Sequence, residues 1–155
     1  MAKKVINWLL VLLWMGVIFF ASSQPYEKQN MKPLWQEHLP VEEIEKHADF
    51  VSFPYAGEEV SMKEDGAANV IEFFVRKAAH VGTYFILAVL LYRAIGRASL
   101  AWIFTVLYAM SDEFHQSITP NRTPHWEDVV LDAFGALLGV LVCVLLARRK
   151  KKRRY

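Results

Sequence analysis

The chain has 155 residues, 54% of them hydrophobic, 14% aromatic and 22% charged, with a formal net charge of +2. That length suffices for one domain. The single cysteine, Cys143, excludes an internal disulfide or a multi-cysteine metal site, and the charges stand in blocks between long apolar runs, as they do not on an ordinary soluble surface.

The first apolar run, Val5 to Ala21, follows Lys3 and Lys4 and is apolar on every face. A helix rising ~1.5 Å per residue needs ~20 residues to cross a ~30 Å hydrocarbon core, so residues 5–21 read as a first membrane span. A soluble four-helix bundle would keep one polar face on such a helix. A cleaved signal peptide would end at Ala21-Ser22-Ser23, but the run is long for one and cleavage would leave three spans.

Residues 22–69 form the one sizeable polar segment and, with Glu72, hold eleven of the sixteen acids. Pro40 opens a predicted short helix over VEEIEKHADFV, with Val41, Ile44, Ala48 and Val51 on one side. FVSFPYAGEEVSM reads as two extended pieces around Pro54 to Gly57. Trp35, Phe50, Phe53 and Tyr55 call for burial, so an ordered cap is expected.

The second and third apolar runs, Val81 to Tyr92 and Ala98 to Met110, span a membrane only if polar residues at one end are admitted. Spans at 73–95 and 98–117 then take in Arg76, Lys77, His80 and Tyr84, and the stretch SDEFHQ at Ser111 to Gln116. Lys77, His80 and Tyr84, spaced three and four apart, form one stripe. Asp112 and Gln116 share a face, as do Ser111 and His115. Acids inside a span are expensive to insert and by default suggest a functional site.

After PNRTPHWED the fourth span runs over 128–147. Asp128, Asp132, Gly135 and Gly139 recur at four, three and four, giving one face with two acids and then two glycines. The glycines make a small-xxx-small surface for close helix packing. Asp128 suits a helix N-terminus. Asp132, one turn deeper, needs a partner such as Arg122, Lys77 or His80. The tail RRKKKRRY is read as a topology anchor and not as a nucleic-acid site.

With both termini inside, the inner segments carry eleven basic residues and no acid; the outer ones carry seven basic residues and all sixteen acids. Short cytoplasmic loops favour Lys and Arg, so the expected fold is an all-α membrane protein. It is a four-helix transmembrane bundle, N-in and C-in, with a small extracytoplasmic cap between helices one and two. The polar ends of helices two, three and four then face outward.

The sequence resembles the VanZ-like family of bacterial membrane proteins, named after a teicoplanin-resistance determinant. The resemblance is carried by F-A-S-S-Q at Phe20 to Gln24, E-F-F-V-R-K-A-A-H-V-G-T-Y at Glu72 to Tyr84 and S-D-E-F-H-Q at Ser111 to Gln116. It continues through Arg122 to E-D-V-V-L-D-A-F-G-A-L-L-G at Glu127 to Gly139. The family pattern maps onto Lys77, His80, Tyr84, Asp112, Glu113, Gln116, Arg122, Asp128 and Gly135. His115 and Asp132 depart from it. The resemblance implies a multi-pass protein of the bacterial plasma membrane associated with reduced glycopeptide susceptibility, and it implies no settled reaction.

The expected function is an outward cleft that binds or processes an anionic, lipid-linked or cell-envelope ligand such as a cell-wall precursor. Lys77 and Arg122 would hold phosphate or carboxylate. Tyr84, Gln116, Asp128 and Asp132 would line the site, and His80, Asp112 and Glu113 are the candidates for moving protons. A metal at His80, Glu113, His115 and Asp132 lacks any H-E-x-x-H signature, so neither metal nor cofactor is assigned. Two other readings stand beside this one. A small transporter would have to oligomerise through faces such as Gly135 and Gly139 and would need a continuous inner polar path. A non-catalytic envelope protein would dock partners through its acidic cap.

Overall fold

The computed structural model describes residues 2–119 and 125–152. In chain order these form α1 (Ala2–Ser22), a single 3-10 turn (Tyr26–Gln29), α2 (Lys32–His38), α3 (Val41–Ala48), β1 (Ser52–Tyr55) and β2 (Glu58–Ser61). They continue with α4 (Met62–Asp65), α5 (Ala67–Ile95), α6 (Ala98–Ser117) and α7 (Trp126–Lys152).

The other three long helices pack around α5, which touches α1, α6 and α7 and also carries α2, α3 and α4 on its first turns. Their shared core is small-residue rich: Ala88, Ala94, Ala101, Ala109 and Ala136 interleave with Leu87, Leu91, Val11, Ile18 and Val140. Small side chains let helix backbones approach where lipid supplies no hydrophobic drive between helices.

The closest approach is between α5 and α7. A Cβ built on Gly135 would overlap the Val81 carbonyl oxygen, and one on Gly139 would lie 2.5 Å from the Phe85 oxygen. The glycine face is thus occupied within the chain by α5 and is not free to join a second copy, as the transporter reading required. Indole and phenol groups tie the remaining helices through backbone carbonyls. Trp14 Nε1 donates to the Thr83 oxygen at 3.0 Å, Tyr108 Oη to that of Met15 at 2.7 Å and Trp102 Nε1 to that of Ala133 at 3.0 Å.

Among the described residues, three helices, α1, α5 and α7, are long and apolar enough to cross a membrane. The helix α6 has the length, but SDEFHQ at its end dilutes its hydropathy. Its outward side is nonetheless apolar, with Ile103, Phe104, Leu107, Met110 and Phe114 exposed. Leu9, Leu12, Leu13 and Phe20 on α1 and Leu141, Leu145 and Leu146 on α7 are exposed in the same way. Such an apolar exterior around a polar interior is the pattern expected in lipid, not in water.

The cap is ordered. Val41, Ile44, Ala48 and Val51 pack with Met62, Ala67 and Val70 into a second core, the side predicted for the short helix. That helix stops at Ala48, three residues earlier than the sequence pattern allowed. The strands pair antiparallel, Ser52 opposite Ser61 and Tyr55 opposite Glu58. Ala56 (φ 52°) and Gly57 (φ 82°) both take the left-handed conformation that a two-residue hairpin turn needs.

Two expectations change here. Phe50 is 80% exposed, because the turn that ends α3 sends Val51 inward in its place. The second long helix begins at Ala67 and not near 73, because Glu45 Oε1 accepts the Ala67 N–H at 2.8 Å and caps it from the cap side.

Candidate functional site

One face of α5 carries Lys77, His80 and Tyr84, and each meets a different acid from a neighbouring helix. Lys77 Nζ lies 2.5 Å from Asp128 Oδ1 on α7, and His80 Nδ1 lies 3.1 Å from Asp132 Oδ1, one turn deeper on the same helix. Tyr84 Oη donates to Asp112 Oδ2 on α6 at 3.1 Å. The spacing of three and four along α5 aligns these residues vertically. The spacing of four along α7 sets the two acids at matching heights.

These three acids and Glu113, the neighbour of Asp112, are buried: Asp112, Glu113, Asp128 and Asp132 are 6%, 7%, 7% and 1% exposed. Gln116 Nε2 donates to Asp112 Oδ2 at 3.2 Å and to Glu113 Oε1 at 3.4 Å, joining the two acids that the helix holds about 100° apart. The His125 N–H donates to Glu113 Oε2 at 3.1 Å from the residue preceding α7. Removing the Tyr84 hydroxyl strips a charge-assisted hydrogen bond from a buried carboxylate, which typically costs about 1.5–3 kcal/mol. Tyr84→Phe is therefore expected to unfold earlier by that amount in a detergent-to-SDS titration, with helix content unchanged before the transition.

Most of these groups, though not Glu113 or Asp132, line a cavity of about 490 Å³ bounded by α1, α5, α6, the start of α7 and the cap. Lys77, His80, Tyr84, Asp112, Gln116 and Asp128 all reach it, together with Ser22 and Arg76. Below Tyr84 the interior turns apolar, through Leu87, Ala88 and Leu91.

The cap contributes one member that sequence reasoning treated only as apolar. Tyr55, on β1, donates from Oη to the Asp128 oxygen that also faces Lys77, at 2.5 Å. The Lys77 ammonium lies 4.4 Å from the centre of the Tyr55 ring and 5.3 Å from that of Phe73. Ring faces of this kind attract a cation that is partly stripped of water. Burial, and then the Asp128 carboxylate, push the Tyr55 phenol above its ordinary value, so it remains a donor at neutral pH. No sequence pattern pairs a hairpin residue with an acid 73 positions away. The other missed group is the Glu72–Arg76 pair on α5, at 3.0 Å, which accepts the Met31 N–H and donates to the Gln29 oxygen, pinning the cap's entry to the bundle.

Two candidates are not seen in the site. His115 stacks on Phe19 of α1, ring centres 4.4 Å apart and 17° from parallel, and does not line the cavity. It therefore leaves the set of residues weighed for a metal. Arg122 lies outside the described residues. The cluster that does converge is His80, Glu113 and Asp128, with one ligand atom from each within 4.8 Å of the others.

A predominantly helical membrane protein with an acid-lined cavity at one end of its bundle is the class that this fold and geometry define. The chain belongs to the VanZ/LLP1 family, whose model matches residues 7–147. Neither the curated proteins nor the solved structures contain a match to it.

Proposed function

We propose that the protein spans the bacterial plasma membrane four times with both termini inside, and that its cavity opens outward to bind an anionic, lipid-linked cell-envelope ligand. One observation carries this reading. A lysine whose ammonium lies against two adjoining aromatic rings lines a cavity of about 490 Å³ at the same end of the bundle as the cap. A compact ammonium in that setting is a receptor for phosphate or carboxylate. The exposed apolar flank of α6 supports its place as a fourth span. The partition of eleven basic residues from all sixteen acids supports the orientation.

The acyl or polyprenyl part of such a ligand would remain in lipid while the head enters between α1 and α5. The apolar interior below Tyr84 argues against the transporter reading, which requires polar groups through to the inner face. In this reading glycopeptide susceptibility changes because a cell-wall intermediate is held or altered at the outer leaflet.

The test uses the full chain in nanodiscs and a polyprenyl phosphate as probe, beside complementation of a glycopeptide-susceptibility phenotype. Losing a hydrogen bond to a charged group costs about 1.5–3 kcal/mol, or roughly 10- to 150-fold in affinity. Lys77→Ala and Arg122→Ala are expected to weaken probe binding by that factor, and Asp112→Asn to impair complementation, each read per amount of folded protein in the membrane. If all three variants bind the probe and complement like the parent, the reading fails.

A further inference from the structure

We propose that a divalent cation binds at the wall of the cavity, ligated by His80 and Asp128, which line it, and by Glu113 behind them, with Asp132 positioning the histidine.

The three ligand atoms lie within 4.8 Å of one another. Metal–ligand bonds of roughly 2.1–2.5 Å separate neighbouring ligand atoms of one ion by roughly 3–5 Å, so small side-chain adjustments bring these three onto one ion. Each also has coordination capacity left. Asp128 spends Oδ1 on Lys77 and Tyr55 and keeps Oδ2. Glu113 receives its strongest bond, the His125 N–H, on Oε2 and only a long Gln116 contact on Oε1. At His80 the carboxylate of Asp132 can only accept, so Nδ1 carries the proton and Nε2 is left with its lone pair. A histidine that binds a metal generally gives its other N–H to a carboxylate, and Asp132 stands in that position.

Two buried polar groups near the cluster also have no hydrogen-bond partner. Asp132, 1% exposed, has no partner for Oδ2, and Ser22, 6% exposed, lines the cavity with a buried hydroxyl that makes no hydrogen bond. Charge argues likewise. Asp112, Glu113, Asp128 and Asp132 gather four carboxylates against Lys77, while Arg76 already has Glu72. Arg122 at full charge would still leave an acidic excess. Buried charge of one sign is costly in a low-dielectric setting, and a bound dication removes that cost. The donors are oxygen and imidazole with no thiolate, since Cys143 lies far down α7, which suits Mn²⁺ or Zn²⁺ better than a soft ion.

Such an ion, beside Lys77, would take a phosphate oxygen of the ligand; that last clause rests on the function proposed above, whereas cation binding does not. The experiment therefore omits the phosphate probe. Chelator-stripped full chain in nanodiscs is titrated with Mn²⁺, followed by loss of the free-ion EPR signal. One ion per chain is expected. Affinity should fall at least tenfold in Glu113→Gln and His80→Gln, and about 10- to 100-fold in Asp132→Asn. Glu72→Gln, outside the cluster, should bind like the parent. Pulsed EPR of Mn²⁺ on the unaltered protein should show nitrogen modulation from imidazole, which keeps the test valid if a variant does not fold. Absence of saturable binding with both Mn²⁺ and Zn²⁺ overturns the proposal, as does binding without a nitrogen signature or binding unchanged in folded Glu113→Gln and His80→Gln. Mn²⁺ bound but phosphate not bound would leave the cation site standing and remove the ligand reading; the reverse would do the opposite.

Discussion

Lys77→Ala is expected to destabilise the protein by about 3–5 kcal/mol, because it leaves the Asp128 carboxylate buried with only the Tyr55 hydroxyl for company. The Lys77 and Asp128 side chains are 16% and 10% exposed, so water does little to replace the ammonium. The measurement is a reversible SDS titration of the purified chain, read by far-UV circular dichroism. The double change Lys77→Ala/Asp128→Leu should recover most of the loss, since a buried pair removed whole is close to neutral in stability. It should not recover binding of a polyprenyl phosphate. A single variant within 1 kcal/mol of the parent would mean that Asp128 is satisfied in some other way. The pair would then contribute nothing to holding α7 against α5.

Gly135→Val should have an effect of comparable size by a different route. The added carbons meet the Val81 backbone, which cannot rotate away as a side chain can. Overpacking of this kind costs about 1–3 kcal/mol and more where backbone must move, and here the movement separates α7 from α5. Asp128 and Asp132 ride on the same face of α7, so Lys77 and His80 should lose their partners together. Reduced accumulation in the membrane and loss of probe binding are the expected outcomes. Gly16→Val is the control, because nothing lies within 4 Å of a Cβ at Gly16. Equal behaviour of the two variants would show that the close approach of α5 and α7 is dispensable.

Much of this arrangement was legible in the sequence because the relevant signals are local. Apolar length marked the long helices, and α6 runs over the residues read for the third of them, 98–117. The three-and-four spacing of Lys77, His80 and Tyr84 placed them on one face, and Asp132 found His80 among the partners named for it. Glycine spacing marked where a neighbouring backbone comes close. What stayed hidden was non-local. Tyr55 joins the site through the cap's fold, and Glu45 lengthens α5 by capping it from 22 residues upstream. Phe50 was misread because an aromatic residue beside a short amphipathic helix looks like core, although its neighbour Val51 takes that place. His115 was the hardest to place, since its α6 register is compatible with both the cavity side and the α1 side.

The pairings between α5 and α7 also act as a measuring device for helix alignment. Lys77 to Asp128 and His80 to Asp132 fix one end of the two helices; Val81 to Gly135 and Phe85 to Gly139 fix the next two turns. Both sets run in parallel along the two helices and fix one alignment between them, like two scales of a vernier. One residue inserted into α7 between Asp132 and Gly135 would turn the acids by about 100° relative to the glycines, so that one scale could be read only by losing the other. The chemistry at the mouth and the packing in the middle therefore cannot drift apart along this helix. A change in the length of α7 at that point must be answered by a matching change in α5.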